Sequence, residues 1–228
     1  MSTNVILDFL NDLSLNNSSE WMKNNKNRCE EAKNDFAKIV QALIIRISNF
    51  DSLFTNLNAK DMIYRLNRDI RFSNDKSPYN PTFRAHISPA GRYPIPVGYF
   101  IYITPGNILL GGGIYTSQLP EATKLIRKHI MDNSDDFLEI INNPDFSANF
   151  TIQGEKLKNA PKEFPDTHLV SEYLKHKSWD IFYHIEDSYF MQPDVFIDKV
   201  IEKIILMKPF NDFINSGLSG KIPNITRT

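Results

Sequence analysis

Four cations and two carboxylates crowd into twelve residues of this chain: Arg65, Arg68, Asp69, Arg71, Asp75 and Lys76, followed by Pro78 and Tyr79 in the run RLNRDIRFSNDKSPY. A guanidinium presents its N–H groups in a fork that matches two oxygens of a carboxylate or phosphate. Asp69 can neutralise only one or two of these cations, so the excess positive charge wants a partner. One reading is a basic cleft for a small anionic ligand, phosphorylated ones included, with Arg65, Arg68, Arg71, Lys76 and Tyr79 on the ligand and Asp69 orienting an arginine. The other is a structural network, in which the same groups tie the segment to Asp61, Asp75 and backbone carbonyls.

The stretch offers little to name a reaction. Ser73 and Ser77 flank the cations, but a serine needs an adjacent base to become a nucleophile. Acid–base work falls to His86 and Asp69, with His86 placed on a neighbouring strand from which it could point into the same cleft. His168, His176 and His184 recur every eight residues, which is no metal-ligand spacing. We therefore expect neither a metal nor a cofactor, and whether the chain is an enzyme stays open.

Charge supports a local rather than a global reading. Lys plus Arg number 26 against 27 Asp plus Glu, a formal charge of -1, which argues against an extended nucleic-acid footprint. Between Lys60 and Arg92, however, seven basic residues face three acidic ones, so this segment carries +4 and the remainder -5. A nucleic-acid or protein-binding module stays the alternative, with Tyr79, Phe83, Tyr93 and Tyr99 as stacking groups.

The elements that must position these residues follow from apolar periodicity. Val5, Ile6, Phe9, Leu10 and Leu13 predict a helix over 4–15. Asn17 with Glu20 three residues later reads as a capping box opening a long helix, whose stripe runs Trp21, Met22, Cys29, Ala32, Phe36, Ile39, Val40, Leu43, Ile44 and Ile47 and should pack on a sheet. Cys29, the single cysteine, lies on that stripe and excludes an internal disulfide. A strand is expected from Met62, Ile63, Tyr64 and Leu66. For 65–76 the strand and helix periods tie, and its turn residues favour a strand running into a loop. Strands over 82–88 and 97–104 follow, and Pro105-Gly106-Asn107 turns the second into a hairpin partner over 108–115.

Three glycines inside that partner, Gly111, Gly112 and Gly113, need a reason. They mark either a bulge with clearance for a packed helix or a wall against which a ligand approaches, with Gly112 and Gly113 lining it. They form neither a phosphate-binding loop nor a dinucleotide fingerprint. Helices then follow from Leu119 and over 134–142, a helical turn over 169–174, a strand alternating through Trp179, Ile181, Tyr183 and Ile185, and a terminal helix from about Pro193 that Pro209 should kink or interrupt. Strands joined by hairpins imply an α+β fold, an antiparallel sheet of about five strands with helices packed against it, in a single domain over 1–228. With 41% hydrophobic residues a core of that size is affordable, and no apolar stretch approaches a membrane span. The opening MSTNVILDFLND has neither a basic n-region nor a small-residue cleavage site, so the expectation is a soluble cytoplasmic protein. Oligomeric state is not readable.

The spacing R-x-x-R-D-x-R-F-x-x-x-K-x-P-Y from Arg65 to Tyr79 resembles the signature of an uncharacterised bacterial family, the domain of unknown function family 2461. Phe9-Leu10 with Leu13, Asn16-Asn17 and Trp21 is similar to that family's opening. Gly111 to Tyr115, and Gly154, Leu157, Lys158, Pro161, Lys162 and Phe164, are similar to its later blocks. Met22 and Glu163 depart from the pattern at its flanks. The resemblance implies kinship over nearly the whole chain and brings no activity, substrate or cofactor with it.

Overall fold

The computed structural model describes residues 1–71, 73–115, 119–165 and 167–219. Its helices are α1 (Thr3–Leu15), α2 (Ser19–Asn24), α3 (Lys26–Ser48), α4 (Ala59–Met62), α5 (Pro120–Asp132), α6 (Ser134–Asn142), α7 (Pro144–Ser147), α8 (Ser171–Leu174), α9 (Asp187–Phe190) and α10 (Pro193–Leu218). Its strands are β1 (Phe83–Ile87), β2 (Tyr99–Ile103), β3 (Ile108–Ile114) and β4 (Trp179–Ile185), which form one antiparallel sheet in the order β1-β2-β3-β4. The fold is thus α+β, with four strands rather than five.

The missing strand has a visible cause. Residues 63–67 do run antiparallel to 79–85, but only as two isolated bridges, Ile63 with Ala85 and Asn67 with Tyr79. Met62 belongs to the end of α4, and Pro81, lying between the bridges, has no N–H to give to a ladder. Only scattered backbone bonds survive, such as Tyr64 N–H to the Arg84 carbonyl at 2.9 Å.

The chain forms two compact units. The first comprises 1–92, 100–110 and 184–202. Its core is built where α1 and α3 meet β1: Phe83 stacks on Phe36 at 5.2 Å and on Phe9 at 6.2 Å. The buried stripe of α3 runs from Cys29 through Ala32, Phe36, Ile39, Val40, Leu43 and Ile44 to Ile47, as its periodicity requires. The long helix expected from Asn17 is divided in two. Ser18, not Asn17, caps α2 by accepting the Trp21 N–H, and the chain breaks at Asn25 before α3, leaving Trp21 and Met22 half-exposed. Asn17 is thereby released for another task. At the β2–β3 hairpin, Pro105 and Gly106 occupy the centre of a turn closed by Asn107 N–H to the Thr104 carbonyl, and the positive φ of Gly106, 75°, is the one a type II turn demands.

The second unit comprises 93–99, 111–183 and 203–228. Here α5, α6 and α7 and the C-terminal half of α10 enclose an aromatic core in which Phe137 meets Phe213 and Tyr173, and Phe146 meets Phe210. Helix α10 continues through Pro209 instead of ending there. Pro209 is exposed, and so is Ile205 one turn earlier, whose carbonyl loses its helical donor; water can take the place of that bond. Within the unit, Asn211 of α10 accepts the Gly113 N–H at 2.7 Å and donates to the Gly98 carbonyl at 2.9 Å. Asn215, one turn on, accepts from Val97 N–H and donates to the Val97 carbonyl.

Candidate functional site

The basic motif is a surface loop with a closed neck. At the neck, Arg68 N–H bonds the Pro78 carbonyl at 2.9 Å and Asn80 N–H bonds the Leu66 carbonyl at 2.7 Å, around the Asn67–Tyr79 bridge. The side chain of Asn17 then locks the same point from outside: its amide donates to the Tyr79 carbonyl at 2.9 Å and its oxygen accepts the Tyr79 N–H at 3.1 Å. Tyr79 therefore serves the loop through its backbone. Apart from the bridge at Asn67, the described residues within 65–76 are neither strand nor helix, in line with the turn chemistry of Ser73, Asn74, Asp75, Ser77 and Pro78. Phe72 lies outside the described residues.

Inside the loop the charges have sorted themselves. Arg68 is the inward one: its guanidinium makes an ion pair with Asp75 and hydrogen bonds to Ser77 Oγ at 2.8 Å and Ser73 Oγ at 3.4 Å. Asp75 also accepts the Ser77 N–H at 2.9 Å, and these bonds, the backbone one foremost and the Arg68 contact next, lower its pKa to about 2. Arg71 and Asp69 form a second pair at the surface. Arg71 Nε donates to Asp69 Oδ1 at 3.0 Å and Oδ2 at 3.2 Å, Nη2 donates to Oδ2 at 2.6 Å, and the Arg71 N–H to Oδ1 at 3.1 Å. The Arg71 side chain, followed by its backbone N–H, holds the Asp69 carboxyl at a pKa of about 2, with the charge of Arg65 adding to the effect.

Two cations are left over. Arg65 is exposed and makes no hydrogen bond or ion pair among the described residues. Lys76, also exposed, donates to the Ile70 carbonyl at 3.0 Å and pairs with no described carboxylate. The other arginines near the motif are engaged elsewhere: Arg92 donates to the Ile63 carbonyl at 3.1 Å, and the Arg84 guanidinium lies 5.5 Å from the centre of the Tyr64 ring. The surplus within 65–76, four cations against Asp69 and Asp75, thus falls on two named side chains, carried on a loop that Arg68 and Asn17 hold in shape.

The remaining expected site residues have other surroundings. His86 is fully buried in β1 and stacks face to face on Phe100, ring centres 4.1 Å apart, so it is a core side chain with no opening to solvent. Gly112 and Gly113 are buried in the second unit. A Cβ on Gly112 would stand 3.1 Å from Asn211 Oδ1 and 3.3 Å from Ile181 and Met207, and one on Gly113 would fall 1.9 Å from the Trp179 carbonyl oxygen. The space beside both is filled by the protein's own strand and helix. An open groove of about 410 Å³ in the first unit, lined by Asn34, Lys38 and Gln41 of α3 with Asn58 and Lys60, includes no residue of the 65–79 loop. No group of His, Cys, Asp and Glu suited to a metal ion occurs among the described residues.

Asn17, Ser73 and Ser77 contribute to the loop in ways not foreseen, whereas Asp75 was expected as a partner of the cations in the structural reading. Asn17 had been read as a cap, and nothing local to it signals a contact 62 residues away. Asp75 with Ser77 does have a local signature, the Asp-x-Ser pattern of a side chain accepting the N–H two residues on. Ser73 and Ser77 act as hydrogen-bonding partners of Arg68.

The fold and the loop together define an α+β protein that displays a charged, internally braced surface loop. The chain belongs to the family described as Conserved hypothetical protein (DUF2461), whose model matches residues 5–213. Neither the curated proteins nor the solved structures gave a match. No helix among the described residues is long and apolar enough to cross a membrane.

Proposed function

We propose that the 65–79 loop is a docking point for a small anionic ligand, phosphorylated ligands included, in a protein of the cytoplasm. The observation that supports this reading is the division of labour among the four cations. Arg68 is committed to Asp75 and the two serines, and Arg71 to Asp69, while Arg65, whose charge acts on Asp69 without an ion pair, and Lys76 stand exposed with no described carboxylate bonded to them. A purely structural network would be expected to spend its cations as Arg68 is spent. Two exposed cations that no described carboxylate pairs, on the same loop as a bidentate arginine and pinned by Asn17, suit an oxyanion that brings two charges.

The roles divide accordingly. Arg65 and Lys76 supply attraction, Arg71 supplies the oriented fork, and Arg68, Asp75, Asn17 and the Tyr79 backbone hold the loop. Extended nucleic acid fits poorly, because two exposed cations release too few counterions for a long footprint. A reaction is not assigned, since no nucleophile paired with a base lies among the loop's described residues.

Calorimetric titration of the wild type with inorganic phosphate, beside Arg65→Ala and Lys76→Ala, tests the reading. Binding in the wild type that weakens several-fold in each variant is expected. Phosphate binding that is absent, or that both variants leave unchanged, would overturn it.

A further inference from the structure

We infer that Asp69 is a tethered stand-in for the ligand: it occupies the fork of Arg71 when the site is empty and gives it up to a dianionic phosphate group. This inference rests on the anion-docking reading above and adds the ligand class and the means by which the empty site is kept closed.

The geometry carries the argument. Asp69 addresses Arg71 side-on, with Nε and Nη2 each bonded to a carboxylate oxygen, the arrangement in which a guanidinium receives two oxygens of a phosphate. The pair is at the surface, with the Arg71 side chain 76% and the Asp69 side chain 48% exposed. An exposed ion pair holds weakly, so a competing oxyanion can reach and displace it. Asp69 sits two residues from Arg71, and that tether gives it an effective concentration of about millimolar or above.

The tether decides which ligands succeed. A free monocarboxylate would exchange one carboxylate for another and lose the advantage of the tether. A phosphate dianion replaces Asp69 on the fork and brings a second charge for Arg65, whose charge already acts on the Asp69 carboxyl, and for Lys76, which pairs with no described carboxylate. The site therefore selects charge as well as shape. Asp69 also accepts the Arg71 N–H, which keeps the turn when the side chain swings away only if a neighbouring acceptor remains; Asp69→Asn preserves an oxygen for that bond while removing the charge.

The experiment is titration of the full chain with inorganic phosphate at pH 8, where it is a dianion, and with acetate, for wild type, Asp69→Asn, Arg71→Ala and the double variant. Asp69→Asn should bind phosphate at least about fivefold more tightly than the wild type. In the Arg71→Ala background the same change should alter phosphate affinity less than twofold, because the fork that Asp69 blocks is gone. The wild type should bind acetate too weakly to measure at concentrations where phosphate saturates. Asp69→Asn binding phosphate no more tightly than the wild type, or gaining equally with and without Arg71, would refute the stand-in role while leaving the anion site in place. If neither the wild type nor Asp69→Asn binds phosphate, the docking reading falls and this inference falls with it.

Discussion

Two glycines with nearly the same φ should respond very differently to the same substitution. Gly106 and Gly113 have φ of 75° and 77°, a conformation that costs an L-residue about 1–2 kcal/mol. Alanine in place of glycine also stiffens the unfolded chain, which offsets about 0.4–1 kcal/mol of that cost. At Gly106 nothing lies within 4 Å of the added Cβ, so Gly106→Ala should destabilise by about 1 kcal/mol. At Gly113 the Cβ would land 1.9 Å from the Trp179 carbonyl oxygen and 3.2 Å from the Asp180 Cα, so the backbone of β4 must move. Overpacking of that kind adds about 1–3 kcal/mol, more where backbone is involved, which brings Gly113→Ala to about 3 kcal/mol or above. For a chain of this size that is a fall in Tm of about 6–12 °C, against about 2–4 °C for Gly106→Ala. Urea unfolding followed by far-ultraviolet circular dichroism measures both, with the slope against denaturant checked for constancy. Equal losses in the two variants would refute the claim that a close approach between β3 and β4 explains the glycine at 113.

Asn211 should matter as much. Asn211→Ala strands the buried Gly113 N–H, at about 1–3 kcal/mol, and removes a donor from the Gly98 carbonyl, so it should lower the urea midpoint, whereas Asn215→Ala, at a half-buried position, should cost less. His176 gives a pH dependence. Burial, ahead of the charge of Lys156, pushes its pKa below 6.5, so the folded state prefers the neutral ring. The unfolded chain then binds the proton more readily, and stability should fall as the pH drops below about 6.5. Unfolding measured from pH 8 to pH 5 should show that decline, and His176→Gln should flatten it; an unchanged slope in the variant would assign the dependence to other groups. The loop carboxylates act at the acid end. Asp69 and Asp75, with pKa values of about 2, contribute ordering that is complete above about pH 4 and lost as the pH falls through 2.

What the sequence made legible was what short-range rules control. The stripe of α3, the Pro-Gly turn of the hairpin and the alternation through Trp179, Ile181 and Ile185 are local periodicities, and each appears in the fold. The fifth strand was lost because Pro81, within an otherwise strand-like stretch, withholds one donor from the pairing register. The division after Asn24 falls at Asn25, whose side-chain amide donates to the Trp21 carbonyl at 3.0 Å, and the cap of α2 fell to Ser18 rather than Asn17, two equally good candidates by residue type. The cause of the glycines at 112 and 113 lies in Trp179 and in Asn211, the latter 98 residues beyond Gly113, where no local pattern points. The loop shows the same limit at closer range. Its composition announced an excess of charge, but which cation would be consumed depended on side-chain reach: Arg68 turns inward to Asp75, Arg71 folds back on Asp69, and Arg65 and Lys76 are left over.

The most direct test of the docking claim is the phosphate titration of Arg65→Ala and Lys76→Ala set beside the wild type, with thermal unfolding of the ligand-free proteins run in parallel. The account predicts that each variant loses phosphate affinity several-fold while keeping the wild-type Tm, because neither side chain holds the fold. Variants that unfold several degrees earlier, with phosphate affinity unchanged or absent throughout, would contradict it and return the motif to a structural role.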